Sequence, residues 1–140
     1  MALAFIRVWN FASKNVSSSH RISLKSQWKV DQIISSERSA EALFVALRAF
    51  HRPSGLASSQ NVYFCFEPFA GKLDFFLNGF KLSWNTIDGL ATVPITSMME
   101  TTNRVVLRWR GDPQETPHLP EHFKAWLEIS NDDQLDPQRS

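Results

Sequence analysis

The chain has 140 residues, of which 43% are hydrophobic and 21% charged, the composition of one ordinary globular domain. Its formal net charge is +1, with lysine and arginine scattered singly, so electrostatics give no reason to expect a nucleic-acid or membrane partner. The one cysteine, Cys65, excludes an internal disulfide, and its apolar surroundings predict an inert buried thiol.

The N-terminus begins with apolar residues but does not resemble a signal peptide. Arg7 and Asn10 interrupt the apolar stretch, and no basic segment precedes it. Nowhere does the chain approach the roughly 18 consecutive apolar residues of a membrane span. We therefore predict a soluble, cytoplasmic protein.

The first third of the sequence has the alternation of short strands. Aromatic and aliphatic residues alternate over residues 5–11, which predicts a first strand, and Ser17, Ser18 and Ser19 mark a turn. Apolar residues spaced along residues 21–34 predict one or two further strands.

Residues 36–50 favour two different structures. Alanine, leucine, glutamate and arginine are strong helix formers, so propensity alone favours a helix over residues 39–48. Alternation favours a strand instead, with Leu43, Val45 and Leu47 on one face. Pro53 ends the segment. We predict a strand over residues 43–51, because the family that this part of the chain resembles, given below, implies a strand there.

The middle of the chain has a clearer pattern. Residues 62–66, 73–77 and 80–84 are predicted strands, the first of them rich in aromatic residues. Asn78-Gly79 between the last two is a strong hairpin signal because a type I′ turn requires positive φ at both central positions. Residues 84–89 are predicted to form a polar loop, followed by a strand over residues 90–93.

The last third closes the predicted fold. Residues 94–100 predict one short helical turn, residues 105–109 a strand, and the prolines between 113 and 120 a loop. Residues 124–130 alternate as a closing strand. We predict one domain over residues 1–130 and a polar, disordered tail over residues 131–140.

Three segments of this pattern resemble a known family. They are Leu47-Arg48-Ala49-Phe50-His51-Arg52-Pro53, Asn61-Val62-Tyr63-Phe64-Cys65-Phe66-Glu67 and Leu73-Asp74-Phe75-Phe76-Leu77-Asn78-Gly79. Together they resemble the N-terminal sugar-binding jelly-roll domain of β-galactosidase- and β-glucuronidase-type glycoside hydrolases, in which an R-x-F-x-x-P segment precedes two such strands. The matched part runs over residues 43–109, and Pro94 replaces an aspartate of the family pattern.

The resemblance implies an all-β fold, a single galactose-binding-like jelly-roll β-sandwich with about eight or nine strands and little helix. Within it we interpret Phe50 as a core residue and Arg48 as a framework contact. In the resembled enzymes the catalytic carboxylates lie in a separate barrel, so no catalytic residue is carried over to this chain.

Carbohydrate binding requires an aromatic face and a few fixed polar groups. Trp84, Asn85 and Asp88 combine these in one predicted loop, and Arg110 and Asp112 are predicted near the same rim. The alternative is that Trp84 packs at the rim of the core while Asn85 and Asp88 are turn formers.

Other chemistries lack their residue patterns. The pair His118 and His122 has its glutamate at the wrong position for a helical zinc motif and Pro120 between them, so we expect no metal. No nucleophile elbow, phosphate-binding loop or cofactor motif is present. The sequence thus predicts a stand-alone module, not an enzyme, with weak glycan binding. The alternative is a protein–protein interaction or assembly module, including a homo-oligomer, without a sugar ligand.

Overall fold

A computed structural model describes residues 20–33 and 42–131. Ten strands form two five-stranded antiparallel sheets that pack face to face as an all-β sandwich. In spatial order the first sheet contains β1 (His20–Ser23), β10 (Ala125–Asn131), β4 (Gln60–Phe66), β8 (Leu90–Pro94) and β7 (Asn85–Ile87). The second contains β2 (Lys29–Ile33), β3 (Ala42–His51), β9 (Thr102–Gly111), β5 (Leu73–Leu77) and β6 (Phe80–Leu82).

The core lies between the two sheets and is built from every second residue of each central strand. Phe66 stacks on Phe75 of the opposite sheet with ring centroids 5.7 Å apart, and Phe64 lies 5.0 Å from the same ring. All three side chains have no solvent exposure. Phenylalanine suits this position because a buried ring without a polar atom needs no hydrogen-bond partner.

The segment of ambiguous propensity is a strand where the structure describes it. Residues 42–51 form β3, which pairs along its whole length with β9, from Ala42 opposite Gly111 to His51 opposite Thr102. The inward residues Phe44 and Phe50 are buried. The predicted strand over residues 43–51 is confirmed, because burial of alternate side chains outweighs the modest helix propensity of these residues.

The Asn78-Gly79 hairpin forms as predicted. Both residues have positive φ, 52° and 89°, and the hairpin register places Phe75 opposite Leu82 and Leu77 opposite Phe80. The short helical turn is also confirmed, as a 3-10 turn over Thr96–Met98.

Arg48 has the framework role expected of it. Its guanidinium donates from Nε to the carbonyl of Ser26 at 2.5 Å and from Nη1 to the carbonyl of Ala49 at 2.8 Å. The first bond ties β3 to the connection between β1 and β2, and partial burial lowers the pKa of the guanidinium. Phe50 is buried against Phe64, as predicted.

Several expectations differ in detail or lie outside the described residues. The described part of the chain has ten strands where eight or nine were expected, because residues 84–89 contain β7 and residues 21–34 contain both β1 and β2. Asn131, assigned to the tail, is the last residue of β10. The predicted strand over residues 5–11, the start of the 36–50 segment and the tail from residue 132 lie outside the described residues.

Candidate functional site

Trp84 lies where the chain crosses from one sheet to the other. β6 ends at Leu82 in the second sheet and β7 begins at Asn85 in the first, so Ser83 and Trp84 span the edge of the sandwich. The half-buried indole meets the ring of Phe66 edge-on, with centroids 5.3 Å apart and an interplanar angle of 73°. Trp84 therefore closes the edge of the core while leaving part of its ring exposed.

Asn85 and Asp88 belong to a hairpin, not to the predicted polar loop. Asn85 begins β7 opposite Thr92 of β8. The side chains of Asn85 and Asp88 are both exposed. Asp88 and Gly89 form the two-residue turn, with φ of 52° and 80°. Asp-Gly favours this turn because both positions require positive φ. The loop prediction failed because the turn is shorter than the polar stretch around it.

Arg110 and Asp112 lie on the other sheet. Arg110 is exposed on β9 opposite Leu43, and Asp112 follows the end of β9. The Asp112 carboxylate accepts a hydrogen bond from the backbone amide of Gln114 at 2.9 Å, which stabilises a turn. Among the five predicted site residues, all of them described, no hydrogen bond or ion pair joins one to another.

A cleft of about 270 Å³ does form around Trp84, with different partners. We call it the Trp84 cleft, and its lining residues are Leu73, Asp74, Lys81, Leu82, Ser83 and Trp84. They come from β5, β6 and the crossing segment, so the Asn78-Gly79 hairpin positions them. The cleft combines an indole, a carboxylate, an ammonium and a hydroxyl in one place.

Asp74 is the fixed polar group of this cleft. Its Oδ2 accepts hydrogen bonds from Arg108 Nη2 at 2.8 Å and Nε at 3.2 Å, and Lys81 Nζ lies 3.3 Å from Oδ1. The hydrogen bonds from Arg108 are the main reason that the pKa of Asp74 is lowered, with a further contribution from Lys81. Arg108 is held in turn over the ring of Phe76 at 4.9 Å. The carboxylate thus stays ionised and oriented as a hydrogen-bond acceptor.

Sequence reasoning missed Asp74, Lys81 and Ser83, although the hairpin contained the signal. The register set by Asn78-Gly79 pairs Phe75 with Leu82. Extending the same register by one and two residues brings Ser83 opposite Asp74 and Trp84 opposite Leu73. The hairpin register thus predicts Asp74 near Ser83 and Trp84, whereas Lys81 and Ser83 are near Trp84 along the chain.

No group of three metal-ligating side chains comes together in residues 20–33 and 42–131. In the same ranges no helix is long and apolar enough to cross a membrane.

The fold and the cleft define an all-β sandwich with a small, mixed polar and aromatic edge site. No protein-family model matches the chain, and no curated protein matches it. Among solved structures, the fold is similar to that of an FMN-binding β-glucuronidase from Facaelibacterium prausnitzii L2-6, with a TM-score of 0.56 and 13% sequence identity. The match covers 80% of this chain and 22% of that chain, so this chain spans less than a quarter of the enzyme's length.

Proposed function

We propose that this protein is a non-catalytic carbohydrate-binding module of the galactose-binding-like jelly-roll type, and that it binds a neutral sugar weakly in the Trp84 cleft. The observation that carries the proposal is that the partly exposed Trp84 and Asp74, with its oriented carboxylate, line the same cleft. The indole offers apolar area to the C–H face of a pyranose, and Asp74 Oδ1 and Oδ2 accept hydrogen bonds from its hydroxyls. The similarity to a β-glucuronidase fold supports a carbohydrate-related role by analogy only.

The chemistry of the cleft argues for binding without catalysis. Glycoside hydrolysis needs a protonated carboxylic acid as well as a second carboxylate on the other side of the scissile bond. Asp74 is the carboxylate that lines the cleft, and its lowered pKa keeps it ionised. A permanently ionised carboxylate accepts hydrogen bonds but does not donate the proton that the leaving group needs.

The size of the cleft sets the expected affinity. At about 270 Å³ it lies just below the usual range of ligand sites, roughly 300–1,000 Å³. One sugar ring with two or three hydrogen bonds fills such a volume, so we expect dissociation constants near the millimolar range, about 4 kcal/mol of binding free energy.

The test is a glycan-array screen of the full chain, followed by titration of any hit with tryptophan fluorescence as the signal. Ser83→Ala and Asp74→Asn are each expected to weaken sugar binding about tenfold. Ser83→Ala removes a hydrogen bond to the serine hydroxyl, and Asp74→Asn replaces a hydrogen bond to a charged carboxylate with one to a neutral amide. Asn85→Ala and Asp88→Asn are matched controls, because both are exposed and neither lines the cleft. Loss of binding in the controls and not in the cleft variants would place the site elsewhere. Hydrolysis of nitrophenyl glycosides would contradict a non-catalytic role.

The assembly alternative is favoured by one specific feature, an edge strand in each sheet that pairs on one side only within residues 20–33 and 42–131. These strands are β6 and β7, and they carry the exposed side chains Phe80, 61% accessible, and Ile87, 44% accessible. An edge strand with exposed apolar side chains is a template for pairing with another chain. Light scattering of the wild type and of Phe80→Asp decides this alternative. A concentration-dependent dimer that becomes a monomer in the variant supports assembly, and a wild-type monomer rejects self-assembly at this edge.

A further inference from the structure

The outer face of the first sheet carries a second cleft, on the far side of the sandwich from β5 and β6. β1 and β10 pair with Arg21 opposite Glu128 and Ser23 opposite Trp126. Continuing this register by two residues brings Lys25 opposite Lys124. The two strands stay together at that point, since the amide of Leu24 donates to the carbonyl of Ala125 at 2.8 Å.

These residues surround a cavity of about 310 Å³, which we call the Trp126 cleft. Its lining residues are Arg21, Ser23, Lys25, Lys124, Ala125 and Trp126. Three of the six are cationic and one presents an indole. The volume lies at the lower end of the usual range for small-ligand sites, about 300–1,000 Å³.

The positive charge of the Trp126 cleft is only partly neutralised. Glu128 pairs with Arg21, with 2.9 Å between Oε1 and Nε. Lys25 and Lys124 are exposed, and neither forms an ion pair within the described ranges. Glu67 lies next to Lys124, since its amide donates to the Lys124 carbonyl at 3.2 Å, yet its carboxylate is not within ion-pair distance.

Two lysines that face each other across a strand pair are unfavourable in the absence of an anion. Like charges at directly opposite positions destabilise a sheet. An oxyanion between the two ammonium groups converts that repulsion into two charge-assisted hydrogen bonds. The arrangement therefore suits an anionic ligand better than an empty cleft.

The indole of Trp126 is held in a fixed orientation. Its Nε1 donates to Glu128 Oε1 at 2.8 Å, and the Arg21 guanidinium lies over the ring, 4.6 Å from the centroid. Both contacts use the ion pair between Arg21 and Glu128, so one network orients the ring and one of the cations. A ligand that binds here finds the apolar wall already in place, which lowers the entropic cost of binding.

We propose that the Trp126 cleft binds the carboxylate or sulfate group of an acidic polysaccharide. The oxyanion lies between Lys25 and Lys124, and the sugar ring that carries it packs against the part of Trp126 that lines the cleft. The Ser23 hydroxyl lies beside the ring as a partner for a sugar hydroxyl. This site is separate from the Trp84 cleft and does not depend on neutral-sugar binding there.

An acidic glycan fits the cleft better than a nucleic acid does. Nucleic-acid sites follow the phosphate backbone with an extended basic stripe. The proposed site instead has three cationic side chains in one cleft, and the whole chain has a net charge of only +1. A sugar ring also offers hydroxyls to Ser23, which lines the same cleft.

The test uses two pairs of polysaccharides that differ in charge but not in backbone. Polygalacturonate is compared with its fully methyl-esterified form, and dextran sulfate with dextran, each titrated into the full chain by calorimetry at physiological salt. Binding of polygalacturonate identifies a carboxylate as the ligand group, and binding of dextran sulfate identifies a sulfate. Single-stranded oligo-dT is titrated as a third polyanion, and its preferential binding would identify the cleft as a nucleic-acid site.

The variant is Lys25→Gln with Lys124→Gln. Its matched control is Lys29→Gln with Arg104→Gln, which removes the same charge from exposed positions on the second sheet. We expect the lysine pair variant to weaken binding of the acidic polysaccharide at least about tenfold and the control to change it less than about twofold. The lysine pair variant is also expected to melt no lower than the wild type, because it removes a repulsion.

Each outcome decides the proposal. Binding of either charged polysaccharide, without its neutral counterpart and with loss only in the lysine pair variant, supports it. Equal loss in the control shows general charge attraction and overturns it. Preference for oligo-dT, or no binding of any polyanion, overturns it as well.

Discussion

Asn78 Nδ2 donates a hydrogen bond to Asn103 Oδ1 at 3.0 Å, and this pair ties the β5–β6 turn to the beginning of β9. Asn103 is 1% exposed, and its side chain also accepts from the amide of Glu100 at 2.7 Å and donates to the Glu100 carbonyl at 2.9 Å. Asn78 Oδ1 accepts in turn from the amide of Arg104 at 2.9 Å. Asn78 thus joins the hairpin to β9 through its side chain, and Asn103 also holds the segment at Glu100 that precedes β9.

Replacing Asn103 with alanine is expected to destabilise the protein by about 2–3 kcal/mol. The variant removes three hydrogen bonds of a buried amide side chain, which join it to the amide and the carbonyl of Glu100 and to Asn78 Nδ2. Urea unfolding measures the loss. Asn85→Ala is the control, because Asn85 is exposed and a surface change of this kind stays within about 0.5 kcal/mol. Equal stability of the two variants would contradict a structural role for Asn103.

The conformation of Asn78 can be separated from its side-chain bonds. Asn78→Gly keeps the positive φ that the turn requires but removes the three side-chain hydrogen bonds to the Met98 carbonyl, to Asn103 Oδ1 and from the Arg104 amide, so we expect a loss of about 1–2 kcal/mol. Asn78→Ala removes the same bonds but keeps a β-carbon in the left-handed region, which Asn78→Gly does not have. Its loss of stability is therefore expected to exceed that of Asn78→Gly by about 1 kcal/mol. Equal losses in the two variants would show that the backbone conformation contributes little.

Gly111 ends β9 in close contact with the ring of Phe44. A β-carbon at Gly111 would lie 2.7 Å from Cε2 of Phe44, a buried side chain that also packs edge-on against Trp109. Gly111→Ala is therefore expected to cost about 1–3 kcal/mol as overpacking. Gly71→Ala is the control, because no atom lies within 4 Å of its β-carbon position. The expected difference in melting temperature between the two variants is several degrees.

A second substitution tests whether the cost at Gly111 comes from Phe44. In the Phe44→Leu background the ring atoms that meet the new β-carbon are gone, so Gly111→Ala should cost less than in the wild type. A double-mutant cycle measures this coupling. Additive losses would mean that the backbone, and not the ring, resists the alanine.

The sequence predicts the strands and turns of this fold better than it predicts the site. β5 and β9 alternate clearly, and Asn78-Gly79 sets its hairpin register by local chemistry that needs no tertiary information. β3 is the harder case, because its residues favour a helix locally and become a strand through pairing with β9. Its prediction depended on alternation and on a family resemblance.

The candidate site depends on contacts across strands, which sequence distance hides. Trp84 was grouped with Asn85 and Asp88 because they are neighbours in the chain, but its cleft partners Asp74 and Ser83 come from across the hairpin and from the sheet crossing. Cys65 shows the same difficulty. It lies in an apolar run, yet its side chain is on the outer face of the first sheet, opposite Trp126 and Thr92.

The Cys65 thiol gives the protein a pH dependence on the alkaline side. Burial is the main cause that raises its pKa from 9.0 to about 11, and the charge of Glu128 adds to it. A thiol whose pKa is higher in the folded state stabilises that state below pH 9, since the unfolded chain ionises first. This contribution is lost between about pH 9 and 11, and two pKa units correspond to roughly 2–3 kcal/mol.

Comparison with Cys65→Ala isolates this effect from the titration of lysine and tyrosine. The wild type is expected to lose more stability than Cys65→Ala between pH 8.5 and about 10.5, as measured by urea unfolding. The native thiol is also expected to resist a disulfide reagent at pH 8 until the protein unfolds, since the thiolate is the reactive form. Parallel pH profiles in the two proteins, with rapid labelling of the native thiol, would show that Cys65 is accessible.

Trp84→Ala is expected to cost about 1–3 kcal/mol, between the effect of a surface residue and that of a core residue. The indole is only half-buried, but it packs edge-on against Phe66, which has no exposure of its own. Removing a fully buried tryptophan costs about 3–5 kcal/mol, and part of the Trp84 surface is already in water. Trp84→Phe retains a ring against Phe66, so its cost is expected to stay below about 1.5 kcal/mol. Thermal unfolding of both variants measures the difference. An unchanged melting temperature in Trp84→Ala would show a freely exposed ring, and a loss as large as that of Phe66→Ala would make Trp84 a core residue with no surface left for a ligand.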